Sequence, residues 1–480
     1  MPTRRQFLAA LAPAPRPNIL FVMTDDQAVS LMSCYGNKLL KTPNMDRLAA
    51  EGVRFTNAFV TNSLCAPSRA SCLTGTLSHV NKVFGNSERK DAIETMDPAV
   101  PTYPELLQKA GYRTGIVGKW HLSHNPRGFH TWRVLPGQGV YLNPEFIENG
   151  QRKIYPGHVT DITTDMALEF LSQPDPRPFC LIYQPKGPHR PFTPCPRHAN
   201  LFSETDLPLP PNFNDDFATR KIAREAEDMR LDLSLAPDYP DLPKTLSPAE
   251  RKHWIYQRFV KDMYRNVVGI DEGLGRVLDH LDKSGQATNT LVIYTSDNGF
   301  YLGEHGWYDK RFMYEPSLRV PLLIRFPRLA KPGQVSPAMA MNIDHAPTIL
   351  AAAGLPIPAQ MQGKSLLPVI NGKPPATWRK SIYYHYYENS WAERITSADL
   401  ASDPTFAYLT PHRVTPHRGV RTHRYKLIDY YTDRGYKELF DLKDDPNELR
   451  NIYNDPKNTV LIRKLEAELT RLRQQYKDTA

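Results

Sequence analysis

Four segments of the chain share one design: an unbroken apolar run that stops abruptly at polar, chemistry-bearing residues. Asn18-Ile19-Leu20-Phe21-Val22-Met23-Thr24 is followed by Asp25-Asp26. Thr114-Gly115-Ile116-Val117-Gly118 leads into Lys119-Trp120-His121. Phe179-Cys180-Leu181-Ile182-Tyr183-Gln184 leads through Pro185-Lys186-Gly187-Pro188 to His189, and Thr290-Leu291-Val292-Ile293-Tyr294-Thr295-Ser296 leads into Asp297-Asn298-Gly299. Runs without polar alternation suit strands buried on both faces, as in a parallel sheet covered by helices. Ligands of such sheets bind beyond the carboxyl ends of the strands. The pattern therefore predicts a site assembled from the residues that end the four runs.

Helical patterns separate the runs. Pro43 to Glu51 is closed by Gly52, Tyr103 to Ala110 by Gly111, and Asp161 to Leu171 has Thr160 or Asp161 as its expected cap. Ser247-Pro248-Ala249-Glu250 combines a capping box with proline at the first helical position. The helix it opens carries Phe259, Met263, Val267, Ile270, Leu274, Val277 and Leu281 at helical spacing and runs to Gly285. That stripe reads as core. Beyond about residue 375 the texture changes to aromatic, β-prone segments: Ser381 to Tyr387, Tyr425 to Tyr431, and the short Glu438 to Leu442. An amphipathic helix, Leu461 to Tyr476, follows. The predicted fold class is α/β: a large, mostly parallel sheet flanked by helices over residues 16–375, with a smaller antiparallel-sheet subdomain and terminal helix over 376–480.

Composition narrows the partners. A length of 480 residues exceeds one small core. The 44 prolines gather in loop-like stretches such as 185–196 and 237–248, which reads as long ordered loops. A net charge of +9 fits an acidic partner such as a sulfated polymer, a nucleic acid or a phosphate ester. With no arginine-rich tract or nucleic-acid motif, nucleic acid is set aside. No apolar run approaches a membrane span, so stable membrane insertion is not expected. The five cysteines Cys34, Cys65, Cys72, Cys180 and Cys195 are too few and odd in number for a disulfide framework. Thr3-Arg4-Arg5-Gln6-Phe7-Leu8 before Ala9 to Ala14 looks like a twin-arginine export signal over 1–15, which predicts a periplasmic or secreted protein.

The densest chemistry lies in Cys65-Ala66-Pro67-Ser68-Arg69, continuing to Leu73-Thr74-Gly75. Pro67 suits a first helical turn, and Cys65 and Arg69 then share a face. A helix start also offers free N–H groups and the positive end of its dipole. Together these predict an anion site containing a nucleophile. Asp25, Asp26, Asp297 and Asn298 supply oxygen donors at the ends of two strands, the set preferred by Ca²⁺ or Mg²⁺ rather than zinc.

The string from Cys65 to Gly75 resembles the signature of the type I, formylglycine-dependent sulfatases, and the resemblance extends over nearly the whole chain. It implies an alkaline-phosphatase-like sheet. It also implies that a formylglycine-generating or maturase enzyme oxidises Cys65 to formylglycine, whose hydrate attacks sulfur and later expels sulfate. The four oxygen donors would hold one divalent cation, usually calcium. A sulfate ester gathers negative charge as its S–O bond breaks, so cations must surround it; the resemblance supplies Arg69, Lys119 and Lys310, with Arg311 as the rival to Lys310. His121 would take the proton of the formylglycine hydroxyl, and His189 would protonate the leaving alcohol. His305, in Gly303-Glu304-His305-Gly306, lines the pocket or only shapes its loop. Asn62-Ser63-Leu64, Leu135-Pro136-Gly137-Gln138-Gly139 and Tyr308 to Glu315 are most similar to N-acetylglucosamine-6-sulfatases, which implies a sulfated carbohydrate substrate. The alternatives are a 2-O-sulfatase of uronic acids, a phosphonate or phosphodiester hydrolase of the same superfamily, and a non-catalytic glycan-binding protein. In relatives the C-terminal subdomain closes one side of the pocket, which nominates His385, Glu388, His417 and Arg418 as sugar contacts.

Overall fold

Burial on both faces, which the apolar runs specify, places them at the centre of a ten-stranded sheet. The computed structural model describes residues 15–86, 95–387, 414–433 and 435–479; the export motif up to Ala14 and Glu388 lie outside them. The strands are β1 (Asn18–Thr24), β2 (Val53–Phe59), β3 (Arg113–Lys119), β4 (Thr131–Leu135), β5 (Glu145–Glu148), β6 (Gln151–Ile154), β7 (Phe179–Gln184), β8 (Thr290–Ser296), β9 (Leu322–Arg325) and β10 (Gln334–Met341). Their order is β10-β2-β9-β8-β1-β7-β3-β4-β5-β6. The predicted runs are β8, β1, β7 and β3, adjacent and mutually parallel. Thr24 lies opposite Ser296 and Gly118 opposite Gln184, so their carboxyl ends are level. Every residue of β3, β7 and β8 is buried, which is why no polar alternation marks them. The departures from parallel pairing are β9, antiparallel to both β8 and β2, and the β4-β5-β6 edge.

Alternate residues of β1 feed two cores. Leu20 and Val22 pack with the helices Pro43–Glu51, Val159–Ser172 and Pro248–Lys283, while Ile19, Phe21 and Met23 pack with Cys65–Thr74, Tyr103–Lys109 and His345–Ala352. The Ser247 capping box forms as predicted: Ser247 Oγ accepts from the Glu250 N–H, and Glu250 returns the bond to the Ser247 N–H at 2.9 Å. A second box, Thr102 with Glu105, starts the Tyr103 helix. The helix expected from Asp161 starts earlier, at Val159. Its cap is His158, whose Nδ1 accepts the Thr160 N–H at 3.3 Å, so Thr160 and Asp161 lie inside the first turn. Gly118 has φ +101°, and a Cβ there would meet the Gln184 carbonyl at 1.9 Å. Only glycine lets β3 sit this close to β7 beside Lys119.

The second sheet is antiparallel, in the order β11 (Ser381–Tyr386), β12 (His417–Thr422), β13 (Tyr425–Tyr430), β14 (Tyr436–Asp441). The helix Thr459–Tyr476 buries Leu465, Leu469, Leu472 and Tyr476 toward it. Glu315 of the large domain fastens the two parts. It pairs with Arg421 at 3.1 Å and with Lys426 at 3.0 Å, and Lys426 also pairs with Glu448 at 2.6 Å. Lys426 and Glu448 are buried. Breaking a buried ion pair from one side costs far more than the pair contributes, because the partner charge stays desolvated. Lys426→Met should therefore destabilise by about 3–5 kcal/mol. Urea unfolding measures this; a loss below ~1 kcal/mol would mean water reaches these carboxylates.

Candidate active site

The carboxyl ends of β1 and β8 bring acidic groups together. Asp26 follows β1 in the left-handed backbone region, at φ 65°, and its N–H donates to Asp297 Oδ1 at 3.1 Å. Asn298 Nδ2 donates to Asp26 Oδ1 at 2.6 Å and to the Gly299 carbonyl at 3.0 Å. Asn298 Oδ1 is buried and accepts no hydrogen bond among the described residues. Ligand atoms of Asp25, Asp26, Asp297 and Cys65 all lie within 4.8 Å of one another. Carboxylates with an unsatisfied amide oxygen fit a hard divalent cation. Burial and the charge of Asp25 push Asp297 up to about 7. Burial also acts on Asp25, but Lys119, His189, Arg69 and Lys310 outweigh it and hold that carboxyl well below the usual range.

The helix Cys65–Thr74 presents Cys65 at its first position and Arg69 one turn on, both fully buried. One N–H of the helix start is already taken: Ala66 N–H donates to Asn86 Oδ1 at 2.9 Å. Cys65 Sγ lies 3.4 Å from Asp25 Oδ1 and 3.5 Å from Lys310 Nζ. Burial pushes the thiol up in spite of Lys119 and Lys310. A thiol kept protonated is a weak nucleophile, so the encoded cysteine is poorly suited to thiolate chemistry.

Buried cations interleave with the carboxylates. Arg69 reaches Asp297 Oδ2 through Nε at 3.0 Å and Nη2 at 2.8 Å, and its Nη1 donates to the Lys119 carbonyl and Gln184 Oε1, each at 2.9 Å. One guanidinium thus ties together the ends of β3, β7 and β8. Lys119 Nζ pairs with Asp25 and donates to Gln138 Oε1 at 2.6 Å. Lys310 Nζ spans both oxygens of Asp26 at 2.6 and 2.7 Å. Arg311 pairs with Asp309 instead, so of the two rivals it is Lys310 that enters the cluster.

His189 Nδ1 donates to the Arg190 carbonyl at 2.7 Å, which leaves Nε2 facing Asp26 Oδ2 at 3.7 Å. Burial and the Lys119 ammonium hold the imidazole well below its ordinary range. His121 Nε2 lies 3.2 Å from Gln138 Nε2. Positive φ at Asp26, His121, Asp309 and Arg311 concentrates backbone strain around the cluster, as functional sites often do. Three residues that the sequence reading did not nominate complete the arrangement: Gln138, Gln184 and Lys186. Lys186 is fully buried, donates to the Gln138 carbonyl at 2.8 Å and stands 4.9 Å over the Tyr141 ring. Burial and nearby Lys119 lower it to about 7. Its sequence signal was a lysine inside the short link between a buried strand and His189.

Two expected sugar contacts are corrected. His385 is buried with both ring nitrogens committed, to Asp478 at 2.7 Å and to the Tyr431 hydroxyl at 3.1 Å. His417 is wholly buried among Phe312, Tyr384 and Tyr386; its Nδ1 donates to the Thr415 carbonyl at 2.8 Å and its Nε2 accepts the Met313 N–H at 3.1 Å. Both rings are packing elements of the small sheet. His305 shapes its loop: it is buried against Asp215 at 2.5 Å. Arg418 pairs with Asp429 at 3.2 Å and lies over the Tyr431 ring.

Comparison with known proteins follows the same lines. The sulfatase family model matches residues 17–355, and the model for the C-terminal region of N-sulphoglucosamine sulphohydrolase matches 404–475. The chain is 40% identical to the N-acetylglucosamine-6-O-sulfatase of Bacteroides thetaiotaomicron, over 96% of this chain and 87% of that protein. It is 31% identical to the human N-acetylglucosamine-6-sulfatase, over 77% of this chain and 67% of that one. A solved structure of a protein in complex with its substrate D-glucosamine-2-N,6-O-disulfate superposes with a TM-score of 0.87 at 40% identity, covering 97% of this chain and 99% of that one.

Proposed function

Since the chain belongs to the sulfatase family and is a sulfuric ester hydrolase, we propose that it removes the 6-sulfate of N-acetylglucosamine from glycosaminoglycans or related glycans. The observation that carries the substrate reading is the identity to a relative named for that reaction, spread over nearly the whole chain. A primary sulfate projects away from the sugar ring, so a deep pocket can take it while the rim reads the remaining groups. A site built to hydrogen-bond those groups discriminates strongly against analogues lacking them. The test is sulfate release from N-acetylglucosamine-6-sulfate, galactose-6-sulfate and a 2-O-sulfated unsaturated uronic acid disaccharide. Preference for the uronic acid would overturn the substrate reading, and faster turnover of a phosphodiester than of any sulfate monoester would favour the phosphohydrolase alternative.

Within that reading each side chain has a task. Arg69, Lys119 and Lys310 meet the negative charge that grows on the sulfuryl oxygens. Asp25, Asp26, Asp297 and Asn298 would hold a divalent cation, calcium or magnesium, that polarises an S–O bond. Formylglycine at position 65, made by a maturase, would supply a hydrated aldehyde as nucleophile. His121 accepts a proton from the hydroxyl at position 65 when sulfate leaves. His189 gives one to the departing sugar oxygen; the anionic substrate itself favours the protonated imidazole there. Export through the twin-arginine motif would place the folded, already modified protein in the periplasm or outside the cell.

His189→Ala should cost roughly 10² to 10⁴ in rate when the leaving group is a sugar hydroxyl. With nitrophenyl sulfate, whose leaving group needs little protonation, the loss should be much smaller. Steady-state rates on both substrates check this, and equal losses would reassign His189 to binding.

A further inference from the structure

The segment Pro136-Gly137-Gln138-Gly139 has no task in the roles above, yet it enters the site. Gly137 and Gly139 hold φ of 51° and 66°, a tight turn after β4 that carries the Gln138 side chain between Lys119 and His121. An ammonium can only donate a hydrogen bond. The Gln138 atom 2.6 Å from Lys119 Nζ is therefore its carboxamide oxygen, and the orientation of the amide follows from chemistry alone. The amide nitrogen is then the atom facing His121 Nε2, at 3.2 Å. An amide nitrogen has only donors to offer. His121 Nε2 must be the bare, accepting nitrogen of a neutral ring.

The turn is itself fastened. Lys186 Nζ donates to the Gln138 carbonyl at 2.8 Å from a fully buried position, and among the described residues no carboxylate lies within ion-pair distance of it. Charged or neutral, this amine has N–H groups to donate, and a buried donor left unpaired is costly, so the main-chain carbonyl that accepts from it is held in place.

We propose that Gln138 is a positioning residue that fixes the tautomer of His121 with its Nε2 lone pair unprotonated, and that Lys186 holds Gln138 in place. The proposal rests on the reading of His121 as the base for sulfate release, and it names the atom that does the work. At 3.2 Å the amide contact is long for a hydrogen bond, so an incoming hydroxyl can displace it and find the lone pair ready. Without the amide, an imidazole can place its proton on either nitrogen, and only one form is a base toward the hydroxyl.

The test is nitrogen NMR of histidine-labelled full-length protein, with the His121 signals identified by their loss in His121→Asn. Wild-type Nε2 should show the shift of an unprotonated ring nitrogen and Nδ1 that of a protonated one. Gln138→Glu keeps an oxygen for Lys119 but presents a second acceptor to His121, so the pattern should invert. Its kcat on the sugar sulfate should fall about 10²-fold with KM nearly unchanged. Lys186→Met should mix the two tautomers, and Lys186→Gln, which keeps a donor to the carbonyl, should recover part of the wild-type pattern. A protonated Nε2 in the wild-type protein would overturn the proposal whether or not any variant folds, as would a Gln138→Glu protein with bare Nε2 and full kcat. Inversion of the tautomer with kcat unchanged would uphold the role of Gln138 and refute His121 as the base.

Discussion

Cys65→Ala is expected to abolish sulfate-ester turnover, by roughly 10⁶-fold, the scale seen when a covalent nucleophile is removed from an otherwise intact site. The fold should survive. Alanine continues the helix that Cys65 opens, and the deleted sulfur leaves a gap of about one atom, worth ~1 kcal/mol. The cations and carboxylates keep one another: Arg69 stays on Asp297, Lys310 on Asp26 and Lys119 on Asp25. Thermal unfolding should therefore move little while activity disappears. The encoded thiol cannot substitute for a modified residue. Burial keeps it protonated, and a sulfur carrying a sulfuryl group has no second hydroxyl with which to expel it. Activity in different preparations should rise in proportion to the aldehyde found by mass analysis of the peptide containing residue 65. Full-rate turnover by protein carrying only the thiol would sink the assignment.

The central strands were legible because double burial writes itself as unbroken hydrophobicity, and parallel strands deliver their last residues to one edge. Asp25, Asp297, Lys119 and His189 followed from that rule alone, before any geometry. The remaining strands lack the signature for separate reasons. β9 has four residues, too few for a period to show. β10 changes register between Ser336 and Met339 around Pro337, which interrupts its alternation. β12 reads His-Arg-Gly-Val-Arg-Thr, with charges that look solvent-exposed; the structure answers Arg418 with Asp429 across the β13 hairpin and Arg421 with Glu315, distant in sequence.

The same distance hides side-chain roles. His417 beside Arg418 reads as a surface pair, and only the convergence of Phe312, Tyr384 and Tyr386 makes it a core ring. Gln138 is a neutral residue in a glycine turn; its string carries part of the family resemblance, but nothing local marks what the side chain does. Its function exists only because β3 and β7 bring Lys119 and Lys186 to either side of it. Helix starts divide similarly. Ser247 with Glu250 announces itself, whereas His158 caps through a ring nitrogen whose other side is held by the Thr193 carbonyl at 3.1 Å.

At Asp297 metal and activity should be lost together. This carboxylate does two things at once. It receives both Nε and Nη2 of Arg69, and its other oxygen accepts the Asp26 N–H that shapes the acidic turn. Asp297→Ala removes one oxygen ligand from the cluster and leaves the buried Arg69 guanidinium with only the longer pair to Asp25, at 3.6 Å, so the protein should bind the cation poorly and lose stability, by about 3 kcal/mol at most. Loss of the cation removes several kcal/mol of transition-state stabilisation, or roughly 10³-fold in rate. Asp297→Asn separates the two effects. It keeps an oxygen for Arg69, so stability should largely return while metal content, measured by elemental analysis, stays low. The wild-type protein carries a further signature. Burial and Asp25 push Asp297 up to about 7 when no cation is bound, and a ligand carboxyl must lose its proton to bind. Calcium affinity should thus strengthen as pH rises through neutrality and weaken below it. Zinc held by histidines, or an Asp297→Asn protein with full metal and full activity, would remove this cluster as the metal site.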